Sequence, residues 1–169
     1  MPMAADLHSP ISESGVNHMR QNAMNRILTV MFVIVMLGSS AVAQKAEKKS
    51  LGANLVPAGT PYSPAVLIDN TLYISGLQGT DQQTHQLPKE FNQEVKNCLD
   101  NIGRVLKDAG MDFSNVVSVQ IFLVDMSQFQ QMNSIYKEYF KTPFPSRTTV
   151  EVSKLSLGSR VEIAAVAHK

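Results

Sequence analysis

Towards its carboxyl end the chain contains the stretch Pro143-Phe144-Pro145-Ser146-Arg147-Thr148-Thr149-Val150-Glu151-Val152. Each proline restricts the residue before it to extended geometry, so this segment cannot continue a preceding helix. The β-branched run that follows is typical of a strand. Side chains alternate across a strand, so one face carries Arg147, Thr149 and Glu151, and the other carries Thr148, Val150 and Val152. We expect the second face to pack in the core.

A lone arginine stands where this strand begins. A guanidinium can hold a carboxylate or a phosphate through two parallel hydrogen bonds, so Arg147 is a candidate anion ligand. The alternative is that Arg147 caps a backbone carbonyl or pairs with a surface acid. The residue pattern by itself leaves both interpretations open.

Length, charge and cysteine content bound the possible functions. The chain has 169 residues, enough for one domain with some excess, and its 15 basic and 14 acidic residues give a formal charge of +1. This balance gives no electrostatic reason to expect a nucleic-acid partner or an anionic membrane surface. The one cysteine cannot form an internal disulfide, and no cysteine or histidine cluster has metal-ligand spacing. We therefore predict no metal and no nucleic acid.

The amino-terminal third has the pattern of a secretory signal peptide. An uncharged apolar run of 11 residues, 27–37, follows Arg26, and Ala41-Val42-Ala43 comes shortly after it. This predicts cleavage after Ala43 and a periplasmic or secreted protein without a stable membrane anchor after cleavage. A membrane anchor is the rival interpretation, but a spanning helix needs about 20 apolar residues. The polar leader is long for a signal peptide, so we hypothesise that translation starts at Met19 or Met24.

The remaining chain is predicted to be one α+β domain. We assign residues 1–43 to the leader and signal peptide, 44–55 to a flexible lead-in, and 56–169 to the domain. Apolar periodicity and turn residues predict strands and helices in the order β-β-α-β-α-β-β. The strands are 65–68, 71–76, 116–124, 143–152 and 160–167. The first helix follows Pro88 and ends before Gly110, and the second runs from about 128 to 140.

This element order predicts one mixed sheet with both helices packed on one face. The opposite face would then expose apolar side chains, which favours an oligomer. Cys98 lies within the apolar stripe of the first helix, and we expect it to serve packing rather than chemistry.

Several pieces, in this order and spacing, resemble the Rid family, also called the YjgF or L-PSP family. The resemblance covers roughly residues 56–168. It implies a chorismate-mutase-like fold, a homotrimer with clefts between neighbouring subunits, and hydrolysis of 2-imino or enamine acids to 2-oxo acids and ammonia without cofactor or metal. The pieces are Gly59-Thr60-Pro61-Tyr62, Ile74-Ser75-Gly76, Ala109-Gly110, Met132-Asn133-Ser134-Ile135-Tyr136, the stretch from Phe144 to Val152, and Val161-Glu162-Ile163-Ala164-Ala165-Val166-Ala167.

The resemblance also implies roles for particular residues. Arg147 matches the arginine that binds the substrate carboxylate, and Tyr62, Ser75 and Asn133 match positions that line the pocket. Thr149 stands on the same strand face as Arg147, where the family usually has cysteine, and keeps a small polar group there. Each pocket residue also has a structural alternative: packing for Tyr62, a turn for Ser75 and a helix-surface hydrogen bond for Asn133.

The last predicted strand departs from the family pattern. Where the deaminases of the family typically read Glu-Ile-Glu-Ala, this chain has Glu162-Ile163-Ala164-Ala165. The resemblance gives the second glutamate the task of positioning and activating water, and alanine cannot accept a proton. Glu162 points to the same face as Ala164 but lies two residues away, roughly 7 Å along the strand. That distance is too long for a direct replacement unless the backbone bulges, so Glu162 is a possible carboxylate only.

We favour an exported imine or enamine deaminase in which Arg147 binds the substrate carboxylate and Ala164 weakens the chemical step. The alternative is a non-catalytic trimeric protein that binds small carboxylates in the same cleft between subunits. A ribonuclease or translation inhibitor, a label also attached to the family, is disfavoured by the near-neutral charge and by the lack of an aromatic and basic stripe.

Overall fold

The computed structural model describes residues 13–37 and 46–169. In the first range, Glu13–Leu37 form helix α1. None of the helices in these two ranges is both long enough and apolar enough to span a membrane. The expected cleavage site after Ala43 lies outside the described residues, and the signal peptide stays a prediction.

Residues 46–169 build a six-stranded sheet covered by two helices. Its strand order is β1-β2-β3-β6-β4-β5. Neighbouring strands are antiparallel except for the parallel pair β4 and β5. The elements are β1 (Lys48–Leu51), β2 (Ala65–Ile68), β3 (Thr71–Gln78), α2 (Phe91–Asp108), β4 (Val116–Leu123), α3 (Phe129–Tyr139), β5 (Ser146–Glu151) and β6 (Val161–His168). The predicted mixed sheet is confirmed, and five of its strands lie where the sequence placed them.

The core lies between the helices and one face of the sheet. Helix α2 buries a single stripe that includes Val95, Leu99 and Ile102, as its three- and four-residue spacing predicts. Cys98 is buried in the same stripe, and its thiol donates a hydrogen bond of 2.8 Å to the carbonyl of Leu77. Burial raises the pKa of this thiol, so the predicted packing role of Cys98 is confirmed.

The other face of the sheet, called the open face below, carries no helix in the described domain. Along β6, buried Val161, Ile163, Ala165 and Ala167 alternate with less buried residues, so Glu162 and Ala164 point to the open face. Tyr73 (52% exposed) and Val117 (51%) also lie there. The expected apolar face is therefore present, and the oligomer that it favours stays a prediction.

The structure corrects two boundaries. Lys48–Leu51, expected within the flexible lead-in, form strand β1 and pair with β2. The β3 strand continues to Gln78 instead of ending at Gly76, because a register shift between Ile74 and Leu77 accommodates a β-bulge. A bulge lets a strand continue through an extra residue with increased local twist. The sheet therefore has one strand more, β1, and a longer β3 than the sequence predicted.

The expected orientation of β5 is wrong. In the parallel pair, Arg147 lies beside Val119 and Thr149 beside Ile121, and both β4 residues are buried on the helix side. Paired residues of neighbouring strands point to the same face. The face with Arg147, Thr149 and Glu151 is therefore turned towards the helices, and Val150 is 40% exposed on the open face. Alternation showed which residues share a face, but the register of β5 on β4 decides which face is turned to the helices, and no local pattern gives that register.

A buried ion pair ties the start of β6 to helix α2. Glu94 is fully buried, and its carboxylate accepts hydrogen bonds from Arg160 Nε at 2.6 Å, from the Arg160 backbone N–H at 2.7 Å and from the Ser159 hydroxyl at 2.7 Å. The guanidinium also donates to the carbonyls of Pro88 and Lys89, each at 3.0 Å. These contacts hold the segment before α2, which begins at Phe91, after Pro88 as predicted.

Replacing Glu94 with alanine would leave the guanidinium and the backbone donors of this cluster without their acceptor. Removing one partner of a buried pair costs about 3–5 kcal/mol. We expect the Glu94→Ala variant to lose free energy of unfolding in this range, measured by urea denaturation. The control is Glu138→Ala, which breaks the exposed 3.6 Å pair with Lys96 and should cost at most about 1 kcal/mol. Equal losses in the two variants would contradict the assigned role of Glu94.

Candidate functional site

Arg147 lies at the edge of the sheet in a crevice between β5 and helix α3. The crevice has a volume of about 390 Å³ and is lined by Asn133, Tyr136, Lys137, Phe144, Pro145 and Arg147. It is called the Arg147 crevice below. Asn133, Tyr136 and Lys137 are spaced by three and four residues and therefore share one face of α3. The predicted site residues Arg147 and Asn133 are thus brought together.

Two aromatic rings support the guanidinium. The Arg147 guanidinium carbon lies 4.7 Å from the centroid of the Tyr136 ring and 5.7 Å from that of Phe129. The Tyr136 ring in turn stacks on Phe140 at 4.2 Å. Cation–π contacts of this kind contribute about 0.5–2 kcal/mol and orient a guanidinium without using its N–H donors.

No ion pair or hydrogen bond from the Arg147 guanidinium is found among residues 13–37 and 46–169. Carbonyl capping and surface pairing, the alternatives that the sequence left open, are therefore not realised in the described part of the chain. The N–H fork faces the crevice and remains able to bind a planar anion.

Buried polar atoms without partners accompany the arginine. Tyr136 Oη and Thr149 Oγ1 are buried and have no hydrogen-bond partner among the described residues. Burial raises the pKa of Tyr136 to about 12, although the positive charge of Arg147 acts in the opposite direction. The phenol is therefore neutral at physiological pH and can donate a hydrogen bond. Buried polar groups are usually paired, and exceptions often mark functional sites.

Tyr62 and Glu162 line a second cavity, which shares no lining residue with the Arg147 crevice. This cavity has a volume of about 460 Å³, and Gly76, Gln78, Asn101 and Leu157 are also among its lining residues. It is called the Glu162 cavity below. The carboxylate of Glu162 accepts a hydrogen bond of 3.1 Å from Gln78 Nε2. Carboxylate, phenol and carboxamide groups thus converge on one concave surface.

The loop between β3 and α2 is held by a local turn. The Asp81 carboxylate accepts hydrogen bonds from the backbone N–H groups of Gln83 and Thr84 at 2.9 and 2.8 Å, and these bonds lower its pKa. His85 follows with a φ of 56° and lines the Glu162 cavity. A positive φ is unfavourable for a non-glycine residue and is found most often where a loop is tightly constrained.

Ser75 belongs to the bulge of β3 and has a structural role. Its hydroxyl donates a hydrogen bond of 2.8 Å to the carbonyl of Ser63, and its backbone N–H donates to the carbonyl of Pro64. Ser75 therefore holds the loop before β2 against the bulge, next to Gly76. Its predicted contribution to a pocket stays a prediction.

The predicted site residues form two groups within one protomer. Arg147, Thr149 and Asn133 lie at the β5 edge on the helix side, whereas Ala164 and Glu162 point to the open face from β6. Only strand β4 separates β6 from β5, so these two strands are about 10 Å apart at normal strand spacing, and the two groups point to opposite faces of the sheet. A three- or four-carbon acid cannot contact both groups in one protomer.

Sequence reasoning missed some of the residues that shape these sites. Phe129 and Tyr136, which form the platform under Arg147, were not predicted as site residues. The three-residue spacing from Asn133 to Tyr136 could have signalled that both face the same crevice. Gln78 carried no comparable signal, because its position beside Glu162 depends on the bulge.

This architecture defines a class: a single mixed-sheet domain with two helices on one face and, on its edge strand, an arginine that has no ion pair within the described part of the chain. A family model described as Endoribonuclease L-PSP matches residues 53–169. The chain therefore belongs to the L-PSP family, the Rid family of the sequence analysis.

Two named mammalian proteins are similar in sequence to this chain. The chain is 45% identical over 122 residues to the 2-iminobutanoate/2-iminopropanoate deaminase of Bos taurus, covering 71% of this chain and 89% of the relative. It is 49% identical over 108 residues to the human protein of the same name, covering 63% of this chain and 79% of the relative.

Solved structures agree with the fold. The crystal structure of RidA from the Antarctic bacterium Psychrobacter sp. PAMC 21119 matches with a TM-score of 0.68 and 31% identity, covering 72% of this chain and 99% of that one. A Rid-family protein of Yersinia pestis matches with a TM-score of 0.68 and 34% identity, covering 73% and 100%. The predicted fold class is confirmed.

The electrostatics of the Arg147 crevice can be tested by titrating Tyr136. Because its pKa is raised to about 12, we expect its phenol to be mostly protonated at about pH 11, where a free tyrosine with a pKa of about 10 is largely ionised. The phenolate absorbance of the native protein minus that of Tyr136→Phe should therefore rise only near pH 12. Because the pKa of Tyr136 is higher in the folded than in the unfolded protein, the neutral phenol contributes its full free energy of unfolding below about pH 10. This contribution is lost as the pH rises to about 12. A difference signal that rises at pH 10 would contradict the buried position of the phenol.

Proposed function

We propose that this protein hydrolyses small 2-imino acids, or the enamines in equilibrium with them, to 2-oxo acids and ammonia. The observation that carries the proposal is the unpaired Arg147 guanidinium on its aromatic platform, beside the neutral phenol of Tyr136. The names of the mammalian relatives support the same reaction class.

Arg147 acts by binding and orientation. Its planar fork matches the substrate carboxylate and fixes the adjacent imine carbon for attack by water. Asn133 lines the same crevice and can donate a further hydrogen bond to the acid. Protonated imines react readily with water, so correct positioning already supplies part of the rate enhancement.

We further propose that each complete site forms between two protomers, as the resemblance to a homotrimeric family implies. One protomer supplies the Arg147 crevice, and its neighbour supplies Tyr62 and the bulge of β3. The separation of the two groups within one protomer supports this assembly, and so does the exposed apolar open face.

Export belongs to the proposal as well. The pattern of residues 26–43 supports a cleaved signal peptide, so we propose that the enzyme works in the periplasm or outside the cell. Its substrates there would be imino acids released by other enzymes or by damaged amino acids.

A second function is favoured by one specific observation. Ala164 stands where the resemblance places the glutamate that activates water, and alanine can neither orient water nor accept a proton. A protein that keeps the arginine and lacks the base could bind small carboxylates without turnover. Stabilisation by a 2-oxo acid, dependent on Arg147 and without any hydrolysis, would identify this second function.

Activity should depend on Arg147. We expect the native protein to accelerate formation of 2-oxo acid from a freshly generated 2-imino acid, followed in a coupled assay. Losing a hydrogen bond to a charged group costs about 1.5–3 kcal/mol, so Arg147→Ala should lower kcat/KM by about 10- to 150-fold. The control variant Lys107→Ala removes an exposed positive charge from the last turn of α2, which lines neither cavity, and should leave kcat/KM unchanged.

The outcomes separate the two functions. No acceleration over buffer by the native protein, across several imino acids, would reject the deaminase. A native rate that Arg147→Ala leaves intact would show that the reaction occurs elsewhere on the molecule.

A shared site predicts complementation between two impaired variants. Arg147→Ala and Tyr62→Ala chains each damage one half of every site, so oligomers of one variant are impaired throughout. In oligomers refolded from an equal mixture, roughly a quarter of the sites combine two native halves. The mixture should therefore recover roughly a quarter of the native activity. Activity equal to the mean of the two single variants would contradict a site shared between protomers.

A further inference from the structure

We propose that the Arg147 crevice selects a dianion, so that the preferred substrates are 2-imino acids with a second carboxylate, such as 2-iminosuccinate. Arg147 binds the carboxylate next to the imine carbon, and Lys137 binds the second one. The inference rests on the proposed deaminase function and deepens it, because it names the charge and the chemical class of the substrate.

The crevice carries two positive charges and no negative one. Of the described residues that line it, Arg147 and Lys137 are cationic and none is acidic. A monocarboxylate balances only one of these charges, whereas a dianion balances both. Complementary charge of this kind gives a site its specificity among ligands of similar shape. The crevice therefore matches a dicarboxylate better than a monocarboxylate.

The ammonium group of Lys137 is not used by the fold. It has no ion pair within residues 13–37 and 46–169, and the adjacent acid, Glu138, pairs instead with Lys96 at 3.6 Å. Lys137 is exposed, and a lysine is a point charge on a flexible stem with three N–H donors. It can therefore turn towards a carboxylate that enters the crevice.

The two cations approach the crevice from different elements. Arg147 comes from β5, where the ring of Tyr136 lies 4.7 Å from its guanidinium carbon. Lys137 comes from α3, one helical turn after Asn133, and both of these α3 residues line the crevice. A substrate that lies between the strand and the helix can therefore contact Arg147 with one end and Lys137 with the other.

The volume of the crevice accommodates the longer acid. Its volume of about 390 Å³ falls in the range of about 300–1,000 Å³ that is usual for pockets of drug-sized ligands. A three-carbon imino acid fills a small part of this space. The remaining space is sufficient for an additional methylene group and a second carboxylate.

The position of Lys137 at a helix end has a simpler explanation that must be tested as well. The carboxyl end of a helix is partly negative and favours cations, and Lys107 lies in the last turn of α2 as Lys137 lies in the last turn of α3. Lys107 lines neither cavity. The helix dipole does not explain the facing cation, Arg147, which belongs to a strand. Lys107 is therefore the matched control for Lys137.

The reaction itself is the one already proposed. Water adds to the carbon of the protonated imine and the C–N bond breaks, so one iminium ion and one water molecule give a 2-oxo dicarboxylic acid and an ammonium ion. Lys137 transfers no proton in this scheme. We therefore expect its removal to change KM for the dicarboxylate more than kcat.

The test compares kcat/KM of the full-length native protein for 2-iminosuccinate and 2-iminopropanoate, each generated in the assay by a flavin-dependent amino acid oxidase. We expect the native value to be higher for 2-iminosuccinate. In Lys137→Met, which keeps the length of the side chain without its charge, the ratio of the two values should fall about tenfold. This loss lies between that of an exposed ion pair and that of a buried hydrogen bond to a charged group.

Two control variants separate the crevice from overall charge. Lys137→Arg keeps a cation at the same place and should keep the native ratio within about threefold. Lys107→Met removes one charge from the other helix end and should leave the ratio unchanged. Titration calorimetry adds a readout without turnover: the native protein should bind succinate about tenfold more tightly than propanoate, and Lys137→Met should bind both equally.

Each result has a defined meaning. Turnover of both substrates with a native preference for 2-iminopropanoate, or with the same ratio in the native protein and Lys137→Met, would overturn the dianion assignment and leave the proposed function standing. An equal fall of the ratio in Lys107→Met would show an effect of overall charge and would also overturn it. Absence of turnover with both substrates would reject the proposed function. The titration then decides the assignment alone, and equal native affinities for succinate and propanoate would overturn it.

Discussion

The parallel pairing of β5 with β4 determines the chemistry available at the edge of this sheet. Parallel neighbours cannot be joined by a hairpin, so the chain must cross over, and it does so through helix α3. The register that places Arg147 beside Val119 turns the guanidinium towards that helix. Tyr136 and Phe129 then lie under it at 4.7 and 5.7 Å. The crossover that the topology requires thus also supplies the aromatic platform, and the arginine is oriented without the use of its N–H donors.

The same topology keeps the two groups of site residues apart. Strand β6 is inserted between β3 and β4, so the bulge of β3 cannot approach the β5 edge within a protomer. The open face lacks a helix in the described domain and exposes Tyr73 and Val117. Burying that face against another copy would cover apolar surface and could bring the edge of one sheet to the bulge of the next. The same contact between two copies would then bury the apolar face and complete the site.

Sequence reasoning recovered the elements better than their orientation. Periodicity located helices α2 and α3 and strand β6, because each buries one continuous stripe, and it identified Cys98 as a packing residue. It assigned the wrong face of β5 to the core, because the more apolar face of this edge strand, with Thr148 and Val150, is turned away from the helices. Strand β1 was missed because Lys48–Leu51 is buried only at its last residue. The crevice around Arg147 could not be predicted, because it depends on the register of β5 on β4. That register is set by contacts between residues distant in sequence.

The bulge is the feature that sequence could least foresee and that matters most for chemistry. A Cβ atom at position 76 would overlap the carboxylate of Glu162, so this carboxylate could not lie where it does if position 76 carried a side chain. Glycine at position 76 leaves that space free, and the register shift between Ile74 and Leu77 brings Gly76 beside the Glu162 side chain. The position of the Glu162 carboxylate, the bulge and the glycine are therefore parts of one local geometry.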